Sequence, residues 1–139
     1  MKILAAFDSF KESMSAKEAG EAVQRATQHE VIIKPLADGG EGTMEVMNEY
    51  LKGDIHEIEV AGPLFRTIKA KLAITKDLAI IESAQACGLD HLKEGEKNGT
   101  ETTSYGVGEM MRYAYDQGVR HFLITLGGTS CNDGGIGLL

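Results

Sequence analysis

The sequence is poor in the residues that mark secreted, membrane and fibrous proteins. It has no tryptophan, two prolines, two cysteines and 6% aromatic residues. Neither cysteine, Cys87 or Cys131, has CxxC or CxxH spacing around it, so we expect two reduced thiols in a cytoplasmic protein. The apolar run at residues 3–7 stops at Asp8 and is too short for a signal-peptide core or a membrane span.

Basic residues are also scarce. Fourteen Lys and Arg stand against 21 Asp and Glu, which gives a formal net charge of −7. Without a basic block, the acidic balance excludes electrostatic binding of nucleic acid or of an anionic membrane as the main function. Hydrophobic residues at 42% and charged residues at 25% are typical of a globular protein. We expect small-molecule partners and leave a homo-oligomer open.

Glycine is the residue present in excess. The 139 residues include 17 glycines, about 12% where about 7% is usual. With two prolines, such an excess is not typical of disorder, and its position along the chain becomes informative.

Hydrophobic periodicity predicts alternating strands and helices at both ends of the chain and a β-meander between them. A capping box of Ser15 and Glu18 starts the first helix, and Asp38 to Glu41 are predicted to open the second. The predicted strands are residues 2–7, 31–34, 55–60, 67–75, 78–82 and 121–126, with a third helix around residues 107–114. The 67–75 and 78–82 strands are predicted to form a hairpin.

These elements predict an α/β fold. We expect a Rossmann-like first segment, residues 1–66, followed by a second, mixed α/β domain with an antiparallel hairpin, residues 67–139.

Three polar loops follow predicted strands, at residues 8–11, 37–43 and 127–135. If the first, second and last strands are parallel neighbours, these loops converge at one edge of a sheet, where ligands bind in open α/β folds. The carboxylates of Asp8, Asp38 and Asp133 would then meet there and hold Mg²⁺, with Lys11 neutralising a phosphate.

Two of the loops are rich in glycine. Helix capping accounts for Asp38 and Glu41 but not for Gly39, Gly40 and Gly42, which favour close approach of backbone to a ligand. Four glycines frame residues 129–133, a layout typical of a phosphate cradle, although neither GxxxxGK[ST] nor GxGxxG is present there. The residues thus indicate an anionic or phosphorylated ligand and favour phosphoryl transfer.

The chain resembles the bacterial glycerate kinase family of the type-1 class over its whole length. The matching stretches are Asp8-Ser9-Phe10-Lys11, Leu36-Ala37-Asp38-Gly39-Gly40-Glu41-Gly42-Thr43, Gly62-Pro63-Leu64, Ile81-Glu82, Gly88-Leu89, Thr102-Thr103-Ser104-Tyr105-Gly106 and Gly127-Gly128 with Asn132-Asp133-Gly134-Gly135. Two departures are Glu12, where the family often has Gly, and Thr129-Ser130-Cys131, where Ser-Ala-Thr is usual.

The resemblance implies Mg²⁺-dependent transfer of the ATP γ-phosphate to D-glycerate in a longer, two-domain α/β protein. This chain would be its N-terminal portion, and we expect the reading frame to continue beyond Leu139. A non-catalytic hydroxy-acid-binding module and another α/β enzyme acting on a phosphorylated metabolite remain alternatives.

By resemblance, each motif residue receives an expected role. Asp38, Lys11 and Asp133 are the expected catalytic residues, and Asp38 and Asp133 the expected Mg²⁺ ligands. Substrate or phosphate binding is expected from Asp8, Ser9, Gly39, Gly40, Glu41, Thr43, Gly127, Gly128, Asn132 and Gly134.

Overall fold

The fold was obtained as a computed structural model, which describes residues 1–11 and 13–139. The departure noted at Glu12 lies outside the described residues. In chain order the elements are β1 (Lys2–Ala5), α1 (Ala16–Ala26), β2 (Glu30–Ile33), α2 (Thr43–Leu51), β3 (Asp54–Ala61), β4 (Thr67–Ile74), β5 (Leu78–Glu82), α3 (Ala84–Cys87), a 3-10 turn (Leu89–His91), α4 (Tyr105–Asp116) and β6 (His121–Thr125).

The first sheet consists of β1 and β2, which pair in parallel from Lys2 opposite Glu30 to Ala5 opposite Ile33. The predicted capping box starts α1, because Ser15 N–H donates to the Glu18 carboxylate at 2.8 Å and Glu18 N–H donates to Ser15 Oγ at 3.3 Å. The first strand is only partly buried. Leu4 is 65% exposed, since α1 covers one face of this small sheet.

The second sheet has the strand order β3-β4-β5-β6. The β4–β5 pair is antiparallel, as the predicted hairpin requires, whereas β5 and β6 are parallel. Because side chains alternate across a strand, β5 sends Ile81 to one face and Ile80 to the other.

Helices cover both faces of this second sheet. On one face, Met110 and Val107 of α4 pack against Leu72 and Ile81 together with α3. On the other face, Met44 of α2 is fully buried against Ala73 and Ile80. Burial of one such side chain contributes about 1.5 to 3 kcal/mol to folding. This part of the chain is therefore a three-layer α/β/α unit.

The predicted domain boundary between residues 66 and 67 falls in the turn that joins β3 to β4. These two strands pair along their entire length, from Asp54 opposite Ile74 to Ala61 opposite Thr67. A boundary there would separate hydrogen-bonded strands. The strand pairing and the packing of α2 against β5 instead group residues 43–139 together, so we propose that the division lies between β2 and α2.

None of the helices in residues 1–11 and 13–139 combines the length and the apolar character needed to cross a membrane.

Candidate functional site

A cleft lies where the loops after β1, β2, β5 and β6 come together. It has a volume of about 410 Å³ and joins a second hollow of about 670 Å³, with which it shares several lining residues. The lining residues of the cleft include Asp8, Ser9, Lys11, Asp38, Gly40, Glu41, Glu82, Gln85, Asp90, His91 and Gly128. All four loops follow the carboxyl ends of strands, the usual position of ligands in α/β folds.

The convergence of the three predicted loops is real, but its predicted cause is wrong. The last strand, β6, is not a neighbour of β1 or β2, because it pairs with β5 in the other sheet. The loops meet through a direct backbone contact, in which Gly127 N–H donates to the carbonyl oxygen of Gly39 at 2.9 Å. The cleft therefore lies between two sheets rather than along the edge of one.

Gly127 has no room for a side chain. A Cβ atom there would lie 2.5 Å from Gly40 Cα and 2.8 Å from the Gly39 carbonyl oxygen. The glycines of the 37–43 and 127–135 loops were expected to let the backbone approach an anionic ligand. At Gly127 the group that approaches is instead the backbone of the other glycine-rich loop.

The amides of the expected phosphate cradle are largely engaged within the protein. Gly40 N–H donates to Asp38 Oδ1 at 2.9 Å, and Gly39 N–H donates to Thr43 Oγ1 at 3.2 Å. The buried Thr43 hydroxyl in turn donates to the Gly40 carbonyl oxygen at 2.7 Å. The Thr43 hydroxyl thus holds the loop through hydrogen bonds to Gly39 and Gly40. The amides of Gly39, Gly40 and Gly127 already have acceptors within the protein and are not free to bind a ligand.

Asp38 does not cap the second helix, which begins at Thr43 after the N-cap residue Gly42. Gly42 has a φ of 84°, a conformation that favours glycine. The predicted start of this helix is therefore several residues early. Asp38 is exposed and presents its carboxylate to the cleft.

Glu82, a residue to which the sequence analysis assigned no role, supplies the missing cap. It ends β5 and is fully buried, and its carboxylate accepts hydrogen bonds from Gly42 N–H and Met44 N–H, each at 3.2 Å. The available signal was a carboxylate at the end of the apolar run 78–82, because a buried charge needs partners.

Opposing effects act on the Glu82 carboxyl. Burial raises its pKa above the ordinary value, and the nearby charges of Glu45 and Glu41 act in the same direction. The N–H groups of Met44 and Gly42 oppose this rise by stabilising the ionised form. Glu82 thus joins the first turn of α2 to the second sheet.

His91 and Gln85 also line the cleft. The 3-10 turn brings His91 Nε2 to 3.0 Å from the Gln85 carbonyl oxygen. Both residues follow β5, whose loop was not among the three predicted to converge.

Asp133 borders a different hollow from the cleft that Asp38 lines. Its Oδ2 atom accepts hydrogen bonds from Ser104 N–H at 2.8 Å and from Ser104 Oγ at 2.9 Å, at the start of α4. Its Oδ1 atom accepts from Gly135 N–H at 3.0 Å. Burial acts to raise the pKa of Asp133, but these hydrogen bonds outweigh it and hold that pKa below its ordinary value. Asp133 organises its own loop and joins it to Ser104, the N-cap residue of α4.

Asn132 and Gly134 lie with Asp133 around a separate hollow of about 340 Å³. Asn132 N–H donates to the Gly99 carbonyl oxygen at 2.8 Å. Across residues 1–11 and 13–139, no three His, Cys, Asp or Glu side chains form a metal centre. Asp38 and Asp133 line different hollows, and their joint role as Mg²⁺ ligands stays a prediction.

The remaining predicted residues suit a divalent cation better than a bare polyphosphate. Several acidic side chains line the cleft together with Lys11. The Oδ1 atom of Asp8 accepts a hydrogen bond from Ser9 N–H at 2.7 Å, and Asp38 Oδ1 accepts one from Gly40 N–H at 2.9 Å. Mg²⁺ favours such hard oxygens, typically one or two carboxylates completed by phosphate oxygens and water. The donor set around Asp8 and Asp38 therefore fits Mg²⁺.

The fold and this cleft define a protein of the α/β class with its candidate ligand site where the carboxyl ends of strands meet. Within that class, the family model described as "Glycerate kinase family" matches residues 3–139. The chain belongs to the glycerate kinase family. The resemblance and the α/β fold class inferred from the sequence are thereby confirmed.

Individual relatives are similar over the whole chain. The chain is 39% identical to glycerate kinase of Bacillus cereus and 37% identical to glycerate 2-kinase of Escherichia coli, and 100% of it is covered in both comparisons. A crystal structure of a candidate glycerate kinase 2 from Salmonella typhimurium LT2 matches with a TM-score of 0.78 and 41% identity, covering 99% of this chain and 39% of that one. The chain spans 38% of the length of the two curated relatives.

Proposed function

We propose that this protein phosphorylates D-glycerate, transferring the γ-phosphoryl group of ATP to a hydroxyl of glycerate with the help of Mg²⁺. The observation that carries the proposal is the cleft in which Asp8, Lys11 and Asp38 meet within the region matched by the family. The names of the similar proteins from Bacillus cereus and Escherichia coli support glycerate as the acceptor. The two alternative functions have no comparable support.

Asp38 is the proposed proton acceptor. The hydroxyl oxygen of glycerate forms a bond to the γ-phosphorus, the bond from that phosphorus to the bridging oxygen breaks, and ADP leaves. The hydroxyl proton passes to the Asp38 carboxylate, which is exposed to the cleft and held in place by Gly40 N–H. Lys11, at the same cleft, offsets negative charge on the transferred group.

Asp8 is the proposed carboxylate for Mg²⁺. When bound, the cation would neutralise charge on the phosphate oxygens. Asp8 is oriented by its hydrogen bond from Ser9 N–H, and it lies in the loop that leaves β1. The predicted role of Asp38 as a metal ligand is the alternative. Replacing Asp38 by Asn separates the two through the Mg²⁺ dependence of the rate, since loss of a metal ligand raises the Mg²⁺ requirement and loss of the proton acceptor lowers the rate at saturating Mg²⁺.

Substrate contacts are assigned to side chains rather than to glycine amides. Ser9 and Glu41 line the cleft and offer groups that hydrogen-bond to hydroxyls of glycerate. Gly128 contributes backbone at the opposite wall. The predicted phosphate roles of Gly39, Gly40 and Gly127 give way to loop shaping, since their amides already have protein acceptors.

The experiment is an assay of ADP release by the full-length protein with D-glycerate and ATP. ADP formation that needs glycerate and Mg²⁺ together supports the proposal. Glycerate binding without turnover would favour the binding module, and release of inorganic phosphate from a phosphoglycerate without nucleotide would favour a phosphatase. Either of these two results, with no ADP formed, overturns the kinase proposal.

Two properties of the whole protein stay predictions, namely its cytoplasmic location and its possible homo-oligomer. Fractionation of cells and light scattering on the purified protein test them.

A further inference from the structure

The two cysteines, far apart in sequence, meet behind the cleft. Cys87 is the last residue of α3, and Cys131 lies in the glycine-rich loop after β6. Cys131 packs against the buried apolar cluster that contains Cys87. Both residues are reduced and border the same hollow of about 340 Å³.

Backbone hydrogen bonds hold the two segments side by side. Ser130, the neighbour of Cys131, donates to the Cys87 carbonyl oxygen from its N–H at 2.8 Å and from its hydroxyl at 2.9 Å. Leu89 N–H donates to the Gly128 carbonyl oxygen at 3.1 Å, and Gly88 forms a β-bridge with Thr129. These hydrogen bonds hold the segment that carries Cys131 beside the end of α3, where Cys87 lies, in the folded structure.

The two thiols differ in access. Cys87 is 1% exposed, and its S–H donates to the Ser83 carbonyl oxygen at 3.3 Å. Burial, followed by the neighbouring Cys131, raises the pKa of Cys87 to about 12. Cys131 is partly exposed at the wall of the hollow, so a small molecule reaches it first. This difference in access makes Cys131 the attacking thiol and the buried Cys87 the resolving one.

We propose that Cys87 and Cys131 form an oxidation site, at which hydrogen peroxide converts the paired thiols into an intramolecular disulfide. A hollow of about 340 Å³ admits a molecule of this size.

The chemistry proceeds in two balanced steps. The Cys131 sulfur attacks one oxygen of hydrogen peroxide, the O–O bond breaks, and a sulfenic acid and one water molecule form. The Cys87 sulfur then attacks the Cys131 sulfur, the S–O bond breaks, and the Cys87 proton leaves with the departing hydroxyl as a second water molecule. In total the two thiols lose two electrons, which reduce one molecule of hydrogen peroxide to two molecules of water.

The product would join α3 to the loop after β6. Gly88 and Leu89 follow Cys87 directly, Gly128 precedes Cys131 by three residues, and all three line the cleft. The bond would therefore cross-link two of the cleft walls from behind. This inference does not depend on the proposed kinase activity, because it concerns only the two thiols.

The test uses the folded, full-length protein, treated with hydrogen peroxide, quenched, alkylated and digested without reduction. We expect mass spectrometry to find one cross-linked peptide pair containing Cys87 and Cys131, lighter by two hydrogens than the reduced pair and lost on treatment with dithiothreitol. Alkylation of both cysteines after peroxide treatment, with no cross-linked pair, overturns the proposal.

Two variants assign the roles without relying on activity. In Cys87→Ala, the sulfenic acid on Cys131 has no resolving thiol, and we expect a large increase in its capture by a cyclic 1,3-diketone. In Cys131→Ser, which keeps Cys87, we expect at least a tenfold fall in peroxide consumption by these two positions. Capture of Cys131 in the wild-type protein to the same extent as in Cys87→Ala would contradict a resolving role for Cys87.

Discussion

The backbone N–H of Gly127 donates to the carbonyl oxygen of Gly39 at 2.9 Å, which joins the loop after β6 to the loop after β2 across two separate sheets. The space is so tight that a Cβ on Gly127 would lie 2.5 Å from Gly40 Cα. The cleft owes its shape to this contact, because Asp38 and Gly40 on one side and Gly128 on the other all line it.

Replacing Gly127 by Ala should force the two loops apart. Neither neighbour is the flexible end of a side chain, so backbone must move, and overpacking of this kind typically costs about 1 to 3 kcal/mol. We expect a fall of that size in the free energy of unfolding, measured with urea, together with weaker glycerate turnover.

Gly99→Ala is the matched control for this variant. A Cβ at Gly99 would be no closer than 3.5 Å to its neighbours, an ordinary contact. A stability of Gly127→Ala equal to that of Gly99→Ala would show that the loop contact is not tight.

Replacing Glu82 by Ala should destabilise the first turn of α2. The change leaves the N–H groups of Gly42 and Met44 without their acceptor in a buried place, which costs about 1 to 3 kcal/mol for each unsatisfied group. Glu82→Gln keeps one carbonyl oxygen and should lose less. Urea unfolding of both variants, and hydrogen exchange at Met44, measure the effect.

Glu94→Gln is the surface control, since the Glu94 side chain is 96% exposed. Should Glu82→Ala unfold at the same urea concentration as this control, the capping role of Glu82 is wrong.

Replacing Asp133 by Asn should affect stability more than it affects catalysis. Asp133 accepts with both carboxylate oxygens, from Ser104 through Oδ2 and from Gly135 N–H through Oδ1, whereas Asn offers a single acceptor oxygen. One set of donors therefore loses its acceptor, which costs about 1 to 3 kcal/mol. Because Asp133 borders a different hollow from Asp38, we expect the KM for Mg²⁺ to stay within twofold of the wild-type value. Asp77→Asn, in an exposed turn, is the control. A large rise in the Mg²⁺ requirement would restore Asp133 as a metal ligand.

The ion pair of Arg66 and Glu96 should contribute stability that depends on pH. Arg66 donates to both carboxylate oxygens, at 3.1 and 2.7 Å, and the pKa of Glu96 falls to about 2 from the usual 4.5, chiefly through these hydrogen bonds. Between pH 4.5 and about 2 the unfolded chain therefore binds more protons than the folded protein. The contribution of Glu96 to the free energy of unfolding is present above pH 4.5 and disappears as the pH falls through about 2.

We therefore expect the stability difference between wild type and Glu96→Gln to shrink steadily across that range, as measured by urea unfolding at a series of pH values. Glu94→Gln, which removes a longer pair with Lys97 at 3.6 Å, is the control. A difference that does not vary with pH would contradict the assignment.

Replacing Asp38 by Asn should lower kcat by two or more orders of magnitude, because a general base contributes about 10²- to 10⁴-fold. Asn keeps an oxygen that can accept the Gly40 N–H, so the loop should stay folded. The Mg²⁺ concentration for half-maximal rate should change little if Asp38 accepts the proton and rise sharply if it binds the metal. Near-normal turnover would remove Asp38 from the reaction altogether.

Local features were predictable from the sequence. The Ser15–Glu18 capping box, the antiparallel pair β4–β5 and the third predicted helix depend on residues near one another in the chain, and all three are present. The start of α2 was not predictable in the same way. Its cap comes from Glu82, 40 residues away, and a local pattern pointed to Asp38 instead.

The sequence by itself determined the alternation of strands and helices, the loops that carry polar residues and, through its motifs, membership of the glycerate kinase family. Only the tertiary structure decided which of those loops share a cleft. Strand pairing put β6 beside β5, a backbone contact joined Gly127 to Gly39, and the hydrogen bonds of Asp133 turned it towards α4. The physical reason is that helical and strand periodicity are local, whereas sheet order and the partner of a buried carboxylate are set by packing between distant segments.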